Sequence, residues 1–172
     1  MKIAVCASCG SNVYFENVTC LRCGHALGFD SSRTELITME PSADSGLYRE
    51  IGKGKPQRLV RYCSNAAHGA CNWLTGPDDT SGLCVACDLN RTIPNLSKAS
   101  ALEAWQEFER AKKRLVYQLL RFGLPLDGAS VGKGRLTFDF GLGTSTGHLD
   151  GVISVDMKEA DDVWREQQRK LF

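Results

Sequence analysis

The chain has 172 residues, 42% hydrophobic and 24% charged, enough for one ordinary domain plus a small module. Lys and Arg number 21 against 20 Asp and Glu, a formal net charge of +1, so charge alone does not favour tight binding to a phosphate backbone. No apolar run approaches the roughly 20 residues that a membrane-spanning helix needs.

The start, Met1-Lys-Ile-Ala-Val-Cys6, is too short for a signal peptide and leads straight into a cysteine motif. Eight cysteines without an export signal point to a reducing compartment, the cytoplasm, and to metal ligation rather than disulfides. Residues 1–29 form the first module: Cys6-Ala-Ser-Cys9-Gly10, then Cys20-Leu-Arg-Cys23-Gly24. Two Cys-x-x-Cys pairs supply four thiolates for one tetrahedral ion, the arrangement of a zinc ribbon. Each pair is followed by a glycine, which tolerates the positive φ a tight knuckle demands. A module this small also needs such a staple, because it cannot bury enough apolar surface unaided. A redox dithiol would sit at a helix start in a βαβ context, which is missing. Iron also accepts four thiolates, so the donor set by itself leaves zinc and iron open. His25 is a spare ligand or, with four cysteines at hand, a surface residue.

Residues 30–58 show little apolar periodicity and read as a linker or long loop. Toward its end lie Arg49, Lys53, Lys55, Arg58 and, just beyond, Arg61, against Glu50 alone. This basic stretch reads as a solvated loop rather than a nucleic-acid contact. Residues 59–97 form the second four-cysteine segment. Leu59-Val-Arg-Tyr62 alternates like a short strand and introduces Cys63, Cys71, Cys84 and Cys87. The last two make an ordinary Cys-x-x-Cys; the first two are unusually far apart. His68 lies between them and could replace either, but four thiolates are the favoured set. Four thiolates close the coordination sphere, so both expected zinc ions, at Cys6, Cys9, Cys20, Cys23 and at Cys63, Cys71, Cys84, Cys87, are structural.

Residues 98–172 lack cysteine and read as an α+β segment. Ser100 and Glu103 fit a capping box, and Ala101, Leu102, Trp105, Phe108, Ala111, Leu115, Leu119 and Phe122 recur at helical spacing. Glu109 can pair with Lys113, Lys112-Lys113-Arg114 reads as solvated surface, and Gly123 and Pro125 end the helix. Gly132-Lys133-Gly134 is a turn, Arg135–Phe140 a half-buried strand and Gly151–Met157 a second strand. A closing helix is expected from Glu159; its pattern runs to Phe172 without a cap, and Asp161-Asp162 serves its dipole. No His-Glu-x-x-His, nucleophile elbow or phosphate loop occurs, and His25, His68 and His148 lie far apart. No catalytic residue is therefore assigned.

The run Tyr62-Cys-Ser-Asn-Ala-Ala-His-Gly-Ala-Cys-Asn-Trp73, with Leu83-Cys-Val-Ala-Cys-Asp-Leu-Asn-Arg-Thr-Ile-Pro94, resembles the bacterial zinc-ribbon-containing zinc-binding metallopeptidases. The resemblance extends to Val13–Asn17, Ala111–Tyr117, Leu120–Pro125, Thr146–Ser154 and Glu159–Asp162, nearly the whole chain. It implies the front part of a longer peptidase whose His-Glu-x-x-His helix lies beyond this chain. The implied fold is α+β: a small zinc ribbon, a second zinc-stapled segment, then a helix and short sheet like the front of a zincin-like domain. By the same analogy Gly151–Met157, with His148 beside it, would hold an extended peptide or protein substrate by main-chain pairing. The competing expectation is a zinc-ribbon adaptor for protein or nucleic acid, against which the near-neutral charge argues.

Overall fold

The computed structural model describes residues 3–52, 57–127, 134–141, 143 and 145–171. Lys53, Lys55, Gly132, Lys133 and Phe172 lie outside the described residues. The chain divides into two compact units, 1–85 and 86–172.

The first unit is built of strands. β1 (Ala4–Val5) and β2 (Asn12–Val13) pair antiparallel and carry the first cysteine module. β3 (Ala26–Asp30), β4 (Glu35–Pro41), β5 (Tyr48–Ile51), β6 (Leu59–Tyr62) and β7 (Leu74–Thr75) follow as one antiparallel sheet in chain order. The sheet curls until its two ends meet: Phe29 bridges Trp73 in parallel, and the Phe29 amide donates to the Asn72 carbonyl at 2.9 Å. Leu27, Phe29, Met39 and Trp73 are sealed from solvent. Three rings stack edge-on or tilted among them, Phe29–Trp73 at 4.5 Å, Phe15–Phe29 at 5.0 Å and Phe15–Trp73 at 6.2 Å between centroids.

Residues 30–58, expected as a linker, thus hold β4 and β5. The reason lies in burial: Ile37, Thr38 and Met39 are consecutive and all buried, so the strand shows no alternation to read. The basic stretch changes character too. Arg58 is tied to Asp30, and Arg61 donates to the Pro77 carbonyl. Arg33 bridges the same Asp30 to Glu50, at 2.8 Å each way, and both acids are buried.

The second unit packs one long helix, α1 (Ala99–Arg121), with a mixed sheet ordered β10-β11-β9-β8. Its strands are β8 (Asn90–Thr92), β9 (Thr137–Gly141), β10 (Gly147–Leu149) and β11 (Val152–Asp156). β9 runs parallel to both β8 and β11, while β10 returns antiparallel to β11. The return is a two-residue turn, Asp150-Gly151, with φ of 47° and 87°; such Asp-Gly turns match strand twist at little cost. α2 (Asp162–Arg169) closes the unit, capped by the Asp161 carboxylate, which accepts from the amides of Val163 and Trp164.

Helix α1 corrects two expectations. Its N-cap is Lys98, without a side-chain cap, so the Ser100–Glu103 capping box does not form. Lys112 and Lys113 are buried, at 4% and 3% exposure, whereas Leu115 and Phe122 are exposed. The stripe is rotated because Lys112 finds a partner inside: its ammonium meets the fully buried Glu109 at 2.6 Å, over the rings of Phe138 and Phe140. The C-terminus behaves as expected. Gly123 donates to the Leu120 carbonyl and Leu124 to that of Leu119, the paired bonds of a Schellman stop.

Candidate metal centres

Both four-cysteine sets converge. In the first, Cys6, Cys9, Cys20 and Cys23 place their sulfurs within 4.8 Å of one another, and in the second Cys63, Cys71, Cys84 and Cys87 do the same. None of the eight cysteines is in a disulfide. A zinc ion bonded to four sulfurs at ~2.3 Å sets them about 3.8 Å apart along each tetrahedral edge. The separations of 3.6 Å for Cys6–Cys23 and Cys9–Cys20, and 3.7 Å for Cys71–Cys84, fit that edge. A bound zinc would supply a covalent-like crosslink among the chain segments that carry these cysteines.

The first cage is made by two knuckles of the same shape. Gly10 and Gly24 both take φ of 75° and donate back to the carbonyls of Cys6 and Cys20 at 2.9 and 2.8 Å. Cys6 and Cys20 are sealed, while Cys9 and Cys23 are half-buried. The sulfurs differ in acidity. The hydroxyl and amide of Ser11 pull Cys9 down to about 6. At Cys23 the His25 amide pulls the same way, but burial and the three neighbouring sulfurs outweigh it and push the thiol up to about 11. Burial opposes ionisation of Cys6, yet the amides of Cys9 and Ser8 hold it below its ordinary value. Oriented amides of this kind stabilise thiolate, the form a metal takes.

The second cage is fully buried and differently made. A single 3-10 turn, Ser64–His68, fills the wide gap between Cys63 and Cys71. His68 ends it, exposed and outside the group of sulfurs. The amide of Cys84 donates to the Cys63 sulfur and that of Trp73 to the Cys71 sulfur, both at 3.4 Å. Glu109 Oε2 stands 3.7 Å from the Cys87 sulfur, and its other oxygen accepts from Asn90 and Lys112 at 2.9 and 2.6 Å. Burial raises the Glu109 carboxyl, Lys112 opposes that, and the neighbouring Cys87 adds to it. Sequence reasoning missed Glu109 as a neighbour of the cage; a lone acid within an apolar helical stripe was the available signal.

None of the three histidines belongs to either group of sulfurs. His25 places Nδ1 3.3 Å from the Cys23 sulfur, and His148 sits exposed on β10. Among the described residues, the two cysteine sets are the groups of three or more metal-ligating side chains that converge. The strand expected to hold substrate, Gly151–Met157, is β11, whose two edges are taken by β10 and β9. It cannot accept a further strand; among the described residues the edge strands of this sheet are β10 and β8. Among the described residues, no helix is long and apolar enough to cross a membrane.

Residues 3–98 match a family described as a zinc-ribbon domain, and residues 101–172 one described as "Putative zinc-binding metallo-peptidase". Uncharacterized proteins of Mycobacterium bovis and of two Mycobacterium tuberculosis strains are each 35% identical over 169 residues. That stretch is 95% of this chain and 45% of each relative, so the chain spans about half the length of the curated relatives it matches. No solved structure matches the chain.

Proposed function

We propose that this chain, which belongs to the zinc-ribbon family matched over residues 3–98 and whose residues 101–172 match the family described as "Putative zinc-binding metallo-peptidase", is the zinc-stapled portion of such a peptidase, scaffolding the protein and presenting substrate rather than cutting it. One observation carries this reading. Both converged ligand sets consist of four cysteines, and four thiolates leave a zinc ion no open position for water or a peptide carbonyl.

The substrate proposed is an extended peptide, and its seat is the outer edge of β10. Gly147, His148 and Leu149 are all exposed there, and an antiparallel edge strand offers unpaired amides and carbonyls to an incoming chain. The reducing compartment expected from eight cysteines that ligate metal rather than form disulfides, the cytoplasm, is part of the same proposal. A nucleic-acid adaptor is disfavoured, since Arg58 and Arg61 are already engaged by Asp30 and Pro77.

Metal analysis of the purified chain, run beside a peptidase assay on unfolded protein substrates, tests the proposal. It expects two zinc ions per chain and no turnover. A third, chelator-sensitive zinc accompanied by hydrolysis overturns it.

A further inference from the structure

The two cages differ in how solvent reaches them. In the second all four sulfurs are buried; in the first Cys9 and Cys23 are partly open. A cleft of about 410 Å³ lies against one of these, lined by Cys23, Gly24, His25, Ala26, Met39 and Tyr48 among others. Within it His25 occupies a particular place, with its ring Nδ1 3.3 Å from the Cys23 sulfur.

We propose that His25 is a positioning residue for the first zinc: its Nδ1–H donates to the Cys23 thiolate and holds this sulfur on the metal where the cleft would let a competitor reach it. A hydrogen bond from a ring N–H drains charge from the sulfur, lowering its reactivity toward protons, soft metal ions and electrophiles. It also fixes the imidazole as the Nδ1–H tautomer and orients the knuckle. Cys6 and Cys20 need no such partner, since burial keeps competitors away. The first zinc is therefore the exchangeable one, Cys23 is where its exchange begins, and the second zinc is the permanent one. Nothing in this depends on whether the whole protein is a peptidase.

The test uses the full chain loaded with two zinc ions and follows release to a chromophoric chelator. Release is expected in two phases of equal amplitude, one fast and one slow. His25→Ala should speed the fast phase about tenfold, the lower end of the range for lost outer-sphere partners, and leave the slow phase alone. His25→Asn, whose amide N–H can reach the same sulfur, should restore much of the difference. With cobalt in place of zinc, His25→Ala should shift the sulfur-to-metal charge-transfer band, which a purely structural role would not move. Mass mapping after brief alkylation should find Cys23 modified before any of Cys63, Cys71, Cys84 and Cys87. Release of both ions at one rate, or a fast phase and cobalt spectrum unchanged in His25→Ala, overturns the proposal.

Discussion

The two cages use the same four donors and differ in everything around them. The first rests on paired knuckles and leaves two sulfurs half-buried, so the metal is held by its own loops. The second lies inside. Its Cys71 is hydrogen-bonded by Trp73, the ring at the closure of the β3–β7 sheet, and its Cys87 touches Glu109 of α1. Identical coordination chemistry can thus serve at a half-open site, beside a small core cluster of Val13 and Leu27, or at a fully buried one. Burial decides which, because it sets how many other contacts vanish when the metal does.

That contrast makes its largest claim for the ligands themselves. Cys71→Ser or Cys84→Ser should abolish the cooperative thermal transition of the chain, since structural zinc contributes on the order of 10 kcal/mol to folding. Cys9→Ser should remove one zinc yet leave the second ion bound and most of the far-ultraviolet circular dichroism intact. Equal damage from both substitutions would erase the distinction drawn between the cages.

Next comes the buried charge beside the second cage. Glu109→Ala strands Lys112 without its carboxylate in an apolar site, and breaking such a pair costs about 3–5 kcal/mol. Glu109→Leu together with Lys112→Met should recover most of the loss, as replacing a whole buried pair by apolar groups is often neutral. Denaturant titration of the single and double variants checks this.

Trp73→Ala should cost about 3–5 kcal/mol as well, by cavity formation at a fully buried ring, and should weaken the second zinc before the first. Chelator competition on this variant sharpens the comparison, because a purely local cage would not notice the change.

The smallest effect belongs to the first cage. Gly24→Ala places a side chain at φ of 75° with no neighbour within 4 Å of the new methyl group, so backbone strain is its only penalty, about 1 kcal/mol. Zinc affinity at that cage should fall about fivefold, with no change at the second.

Much of this organisation was legible in the residues. The cysteine spacings announced both cages, and the glycines after Cys9 and Cys23 announced the knuckles. β6 and β9 fall where alternation put them, β11 lies within the second strand expected at Gly151–Met157, and α1 stops at Gly123 as its glycine and proline foretold. β4 was hidden because Ile37, Thr38 and Met39 are buried in succession, erasing the period of two. Lys112 was misplaced because helical periodicity sorts residues by hydrophobicity and does not foresee a lysine paired with Glu109 and donating to the Asn90 amide oxygen. The Ser100–Glu103 cap failed because the helix begins earlier, at Ala99.

Sequence alone determined the ligand sets and the local turns, since the information for a knuckle, a hairpin turn or a helix stop lies within a few bonded neighbours. Tertiary structure alone decided the rest: that Phe29 meets Trp73 and closes a sheet, that β11 is enclosed and β10 an edge strand, that one cage is sheathed and the other accessible. Those outcomes depend on pairing between segments distant along the chain. Such pairing is fixed by which apolar surfaces can be covered together, a property of the assembled unit and not of any stretch within it.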